Sequence, residues 1–315
     1  MDLYEFQDGL IDRSGSGRIR PWRFKKINNV FLSEVYRGID EKKSLRLREC
    51  ATYLEFCVSQ SEKMSLKSGN FCRVRLCPMC TWRRSLKIYS QVSKIMNALQ
   101  SVGTYRYLFL TLTVRNCVGE DLSSVLDDLF YAWNKFSKFK RFRNVVCGWY
   151  RGLEVTHNLS MNTFHPHFHC VLVVDRSYFA WKNYTPHGIW TDLWKKALGV
   201  EYTPIVNIKK TYDVQAKSIA EMAKYTVKDT DYIKPWDWEL TVEIVRVLDQ
   251  ALNHRRLVAF GGMFKEWHKK LNLDDAVDGD LVHVDSECSE MDERGPILSY
   301  EWNVGYQQYR KISGS

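Results

Sequence analysis

The stretch HPHFHCVLVV, residues 165–174, decides how this chain is read. Three histidines occupy alternate positions at the head of an aliphatic run. Side chains of a strand alternate between faces, so His165, His167 and His169 point one way and Pro166, Phe168 and Cys170 the other. The run at 171–174 buries the strand that carries them, in the middle of a sheet. Two histidines separated by one residue suit a divalent ion. The preceding strand-like segment, VVCGWYRGLEVTHN, offers Glu154 as a third ligand. Two imidazoles and one carboxylate leave coordination positions open for water or phosphate oxygens. An HxH pair alone is equally at home as a hydrogen-bonded surface, and the carboxylate shifts the balance towards metal.

Working outward, the chain has 315 residues, 45% hydrophobic and 26% charged, the composition of a folded protein rather than a disordered one. No apolar run reaches the ~20 residues of a membrane-spanning helix. The first twenty residues lack the pattern of a secretory signal, and a cytoplasmic location is expected. Nine cysteines in that compartment read as thiols or metal ligands rather than disulfides. The formal charge is +9, and residues 233–315 carry ten Lys and Arg against fifteen Asp and Glu. The basic excess therefore lies in the first 232 residues, which suits a polyanionic partner such as nucleic acid.

Alternation and β-branched content predict strands in YRYLFLTLTVRN, VVCGWYRGLEVTHN, HPHFHCVLVV and TPIVNIKKTY, with helices between them. The pattern predicts an α+β fold with a central antiparallel sheet flanked by helices. Residues 1–40 read as a flexible lead-in and 41–102 as a cysteine-rich, basic helical region. Residues 103–235 read as the catalytic core and 236–315 as a C-terminal accessory region for DNA recognition or self-association.

SIAEMAKYTVKDTDY, 218–232, is predicted helical. Glu221, Tyr225, Lys228 and Tyr232 then share one face. A phenol, a cation and a carboxylate are the parts of a covalent phosphoryl-transfer site. The same pattern, taken alone, also describes a polar helix face with Glu–Lys contacts.

In the cysteine-rich block, Cys72, Cys77 and Cys80 lie in CRVRLCPMC, a pattern suited to tetrahedral zinc. Cys50 is the preferred fourth ligand and Cys57 the second choice. Buried free thiols are the alternative. A structural zinc there would pin Arg73, Arg75, Arg83, Arg84 and Lys87 towards DNA.

Five blocks in order, NFCRVRLCPMCTWRRSLK, FLTLTVRN, HPHFHCVLVV, EMAKYTVKDTDY and RRLVAFGGMFKEWHKKLNLDD, resemble the HUH endonucleases, specifically the rolling-circle replication initiators of small Gram-positive plasmids. The resemblance runs from about residue 40 to 275. It implies that His167 and His169 are the metal-binding pair and Glu154 the third ligand, with Mg2+ or Mn2+ as the catalytic ion. His165 fits the pattern too, as a group that braces the metal ligands or a DNA contact. The resemblance further implies that Tyr225 is the nucleophile, with Lys228 beside it, and that Glu221 serves terminating hydrolysis. Tyr232 stands as the rival nucleophile. The implied activity is site-specific nicking and joining of origin DNA through a 5′-phosphotyrosine. The implied partners are plasmid origin DNA, a host helicase and polymerase, and further copies of the chain as a dimer or larger assembly. Another HUH enzyme, a conjugative relaxase or transposase, and a non-catalytic zinc replication factor are the competing readings.

Overall fold

The computed structural model describes residues 9–180, 182–211, 227–284 and 295–312. It divides into two units, each drawn from separated parts of the chain. The first takes residues 1–87, 235–242 and 280–315, and the second 88–234 and 243–279.

In the first unit, helices α1 (Trp22–Arg37) and α2 (Glu41–Glu49) precede the hairpin β1 (Tyr53–Val58) and β2 (Met64–Gly69). The expected flexible lead-in is corrected here, because α1 is a packed helix. Trp22, Leu32, Val35 and Tyr36 are buried, together with Lys26, Asn29 and Ser33. These positions form one helical stripe. Asp40 caps α2 by accepting from the Lys43 amide at 3.0 Å. The chain returns near its end as β8 (Ile297–Asn303) and β9 (Gln308–Lys311). Among the described residues these strands make one antiparallel sheet in the order β2-β1-β8-β9, with Tyr53 opposite Glu301 and Cys57 opposite Ile297. The C-terminal segment is therefore partly a component of the N-terminal sheet, not a region folding by itself.

Helix α3 (Pro78–Val102) begins in the first unit and ends in the second. The second unit continues with β3 (Tyr105–Thr113), α4 (Leu122–Phe136), α5 (Lys140–Val145), β4 (Val146–Asn158) and β5 (Thr163–Asp175). Then come α6 (His187–Leu198), β6 (Val206–Thr211), α7 (Asp229–Tyr232), α8 (Trp238–Leu252, whose residues up to 242 belong to the first unit), β7 (Val258–Gly262) and α9 (Met263–Lys270). The sheet order is β6-β3-β5-β4-β7, every neighbouring pair antiparallel, so the histidine strand is the central one. The α+β organisation, antiparallel sheets flanked by helices, is the one expected.

Packing explains the aliphatic run. On one face Phe168 meets the rings of Phe130 and Trp133 from α4, at centroid distances of 5.4 and 5.9 Å. On the other, Tyr107 stands opposite Val173 and donates to the Met96 carbonyl of α3 at 2.9 Å. That face is closed near residue 173 and carries imidazoles near residue 167. The β7–α9 junction needs glycine. Gly262 has φ +52°, and a Cβ there would sit 2.3 Å from the Cys147 carbonyl oxygen. Among the described residues no helix is long and apolar enough to cross a membrane.

Candidate active site

The register of three strands builds the site. Glu154 on β4 lies directly opposite His167 on β5, and on the far side β3 sets Thr113 opposite His167 and Thr111 opposite His169. Directly opposed residues on one face bring their side chains within reach. His169 Nε2 lies 2.8 Å and His167 Nε2 3.5 Å from Glu154 Oε2, and the two Nε2 atoms are 3.2 Å apart. His167 Nδ1 donates to the His165 carbonyl at 3.0 Å, and His169 Nδ1 faces Thr111 Oγ1 at 3.3 Å. Holding each ring by Nδ1 leaves Nε2 as the free lone pair, the arrangement that orients histidine ligands. The three donors fit a divalent ion. Burial opposes ionisation of Glu154, but hydrogen bonds and charge from His167 and His169 hold its carboxyl well below the ordinary range. His165 lies beside the trio, its ring 5.1 Å from that of His167, with burial lowering its pKa.

Lys228 joins this centre from far along the chain, its Nζ 3.6 Å from Glu154 Oε1. The continuous helix expected through 232 is not what the described residues form. Lys228 is extended, at φ −78° and ψ 142°, and α7 starts after it. Tyr232 therefore leaves the face of Lys228 and is fully buried. Glu221 and Tyr225 lie outside the described residues. One group missed in the sequence is Asp231. Its Oδ2 is buried without a hydrogen-bond partner among the described residues. Burial raises its pKa, with the Glu154 charge adding and Lys228 opposing.

The cysteines form a second centre, in the first unit. Cys50, Cys72, Cys77 and Cys80 place all four Sγ atoms within 4.8 Å of one another. Cys50 Sγ is 3.6 Å from that of Cys77 and 3.7 Å from that of Cys80, too far for disulfides and suited to one tetrahedral ion. Backbone amides of Arg73 and Cys80 point at Cys80 Sγ and Cys77 Sγ, at 3.2 and 3.4 Å. Pro78 opens α3, so Cys77 and Cys80 sit at a helix N-terminus that favours thiolates. Cys57 turns elsewhere, towards the Gly295 carbonyl at 3.6 Å. α1 supplies polar groups the sequence did not signal. Asn29 Oδ1 accepts from Cys77 Sγ at 3.1 Å, and Lys26 Nζ donates to the Cys50 carbonyl at 2.6 Å.

Over residues 63–310 the sequence matches the family described as Replication protein. The chain belongs to that family. Its relatives include Protein rep of Bacillus amyloliquefaciens, 37% identical across 95% of this chain and 96% of the relative. Protein rep of Streptococcus pneumoniae serotype 2 is 33% identical across 98% of both chains. A Staphylococcus aureus Replication protein is 36% identical across 68% of this chain and 94% of its own. No solved structure matches.

For a replication protein the basic segment matters, and here the structure corrects the expectation. Arg83, Arg84 and Lys87 do not face outward. Each is at most 4% exposed. Arg83 Nε donates to the Leu281 carbonyl at 2.9 Å, Arg84 Nη2 to that of Arg73 at 2.9 Å, and Lys87 Nζ to that of Asp280 at 2.9 Å. Their charges satisfy buried backbone carbonyls. Arg73 is exposed and Arg75 half-buried, so those two remain candidates for DNA contact in this family member.

Proposed function

We propose that this replication protein initiates rolling-circle replication of a plasmid, as a metal-dependent, tyrosine-type nicking and joining endonuclease of the HUH fold acting at the origin. The observation that carries this reading is the Glu154–His167–His169 set with Lys228 against its free carboxylate oxygen. His167, His169 and Glu154 would hold Mg2+ or Mn2+, which when bound polarises the scissile phosphate. Tyr225 Oη attacks the phosphorus of single-stranded or extruded origin DNA. The new O–P bond is a 5′-phosphotyrosine; the P–O3′ bond breaks, and the departing oxygen takes a proton from solvent as the phenol gives one up. The resulting 3′-OH primes a polymerase. Lys228 offsets the charge developing at the phosphate. Glu221 directs the water that ends the cycle. His165 lies on the same strand as His167 and His169 and positions the metal ligands or touches DNA.

The four cysteines hold a structural Zn2+, which fixes the loop carrying Arg73 and Arg75. The C-terminal part serves origin recognition or self-association, and a host helicase is the expected partner. The location is the bacterial cytoplasm.

A labelled single-stranded origin hairpin with Mn2+ tests the reading. The expected result is a denaturation-resistant protein–DNA adduct in wild type and in Tyr232→Phe, absent in Tyr225→Phe. An adduct that persists in Tyr225→Phe moves the nucleophile elsewhere. Tight binding with no wild-type adduct sinks the enzymatic reading.

A further inference from the structure

The face of the second unit's sheet away from the histidines holds a cavity of about 340 Å3. Its walls include Phe130, Trp133, Trp149, Arg151, Arg255 and Arg256. On β4, Arg151 is three residues before Glu154, so the two side chains leave opposite faces of the sheet. The cavity is thus separate from the proposed nicking centre.

Arg151 is the anomaly. It is 4% exposed, and its guanidinium lies 4.6 Å from the ring centroids of both Phe130 and Phe168. Nη2 donates to the Arg256 carbonyl at 3.1 Å, while the buried Nε has no hydrogen-bond partner among the described residues. A buried guanidinium ordinarily faces a carboxylate, and an orphaned buried donor is costly. The second cation, Arg256, comes from the segment RRLVAFGG. Its side chain is 72% exposed; its Nε donates to the Val258 carbonyl at 3.3 Å and its Nη2 makes a loose 3.6 Å approach to Asp275. Arg255, by contrast, is committed to Asp127 and to the Ser123 carbonyl. Positive charge therefore converges on the space from Arg151 and Arg256, and two indoles and a phenyl ring supply flat apolar walls. The volume falls in the range of small-ligand sites.

We infer that this cavity binds one nucleotide, its phosphate held by the guanidinium groups of Arg151 and Arg256 and its base against the Trp133 and Trp149 side. Arginine with phosphate and indole with base are both favoured pairings. The nucleotide has two sources with the same chemistry: a free mononucleotide, or one residue of a single DNA strand passing the back of the sheet.

Calorimetric titration of the full chain with thymidine 5′-monophosphate, and separately with a short thymidine oligonucleotide, tests the site. Saturable binding of either probe is expected, weakened about tenfold in Arg256→Gln, the effect of one lost charge-assisted hydrogen bond. Binding of the mononucleotide should be unchanged in the His167→Ala/His169→Ala double variant. Affinity for the mononucleotide alone assigns a free ligand, and affinity for the oligonucleotide alone assigns the strand. Arg151→Met should abolish binding; since it also alters the core, Arg256→Gln decides if that variant fails to fold. Absence of saturable binding to both probes, an unchanged affinity in Arg256→Gln, or loss of mononucleotide binding in the histidine variant overturns the inference. Adduct formation by the same wild-type preparation reports on the nicking reading separately.

Discussion

Lys228 and Glu154 meet through one carboxylate oxygen: Nζ of the lysine is 3.6 Å from Oε1, while Oε2 faces His167 and His169. The carboxylate thus divides its two oxygens between a fixed cation and the proposed ion. Removing the lysine takes away a competing positive charge, so metal should bind more readily even as chemistry slows. Lys228→Ala is expected to lower the maximal adduct-forming rate by about tenfold or more, with half-saturation at lower Mn2+. A rate loss that extra Mn2+ restores would show instead that the lysine only helps assemble the metal site.

The four-cysteine centre predicts a zinc requirement for stability. One zinc per chain should be measured by elemental analysis, and chelation should collapse the first unit's thermal transition, as metal binding and folding are coupled in such sites. Cys77→Ser should lose the metal. Cys57→Ser should keep it, because that thiol faces the Gly295 carbonyl rather than the cluster.

Arg83 and Arg73 should behave oppositely. Arg83→Ala strands the Leu281 and Val282 carbonyls that the guanidinium satisfies, at 2.9 and 2.6 Å. It should cost about 2–3 kcal/mol of stability in denaturant titrations. Arg73→Ala should leave the melting curve in place and reduce the salt dependence of DNA binding by about one phosphate contact. Equal loss of DNA binding with no loss of stability in Arg83→Ala would restore the arginine to the surface.

Gly262→Ala meets both a strained φ and the Cys147 carbonyl oxygen. A destabilisation above about 2 kcal/mol is expected. Gly188→Ala is the control, since a Cβ there meets nothing within 4 Å.

Alternation made the second unit's sheet legible. Glu154 and His167 were readable as neighbours because period-2 strands fix faces, and β4 pairs with β5 as adjacent segments often do. Cys50 was readable as the fourth thiol only as a preference, since spacing carries no distances. The helix α1 was hidden because Lys26, Asn29 and Ser33 interrupt its buried stripe with polar residues. Those residues are inside because their hydrogen bonds are met, Lys26 and Asn29 by the distant Cys50 and Leu47 carbonyls and by Cys77, and Ser33 by the Val30 carbonyl of its own helix. The basic segment misled for the same reason. A sequence states that Arg83 and Lys87 are charged, not that carbonyls near residue 281 await them. Asp231 gave no signal, because its setting depends on the charge of Glu154, far away in the sequence.

The pairing of β1 with β8 has a consequence during synthesis. Residues 53–58 leave the ribosome early, but the strand that covers their open side is residues 297–303. The second unit has its last strand in hand at residue 262. For most of translation, then, the nascent chain carries an uncovered strand edge, the kind of surface that invites pairing with another chain. A message cut short before the codon for Ile297 yields a product in which that edge is never sealed.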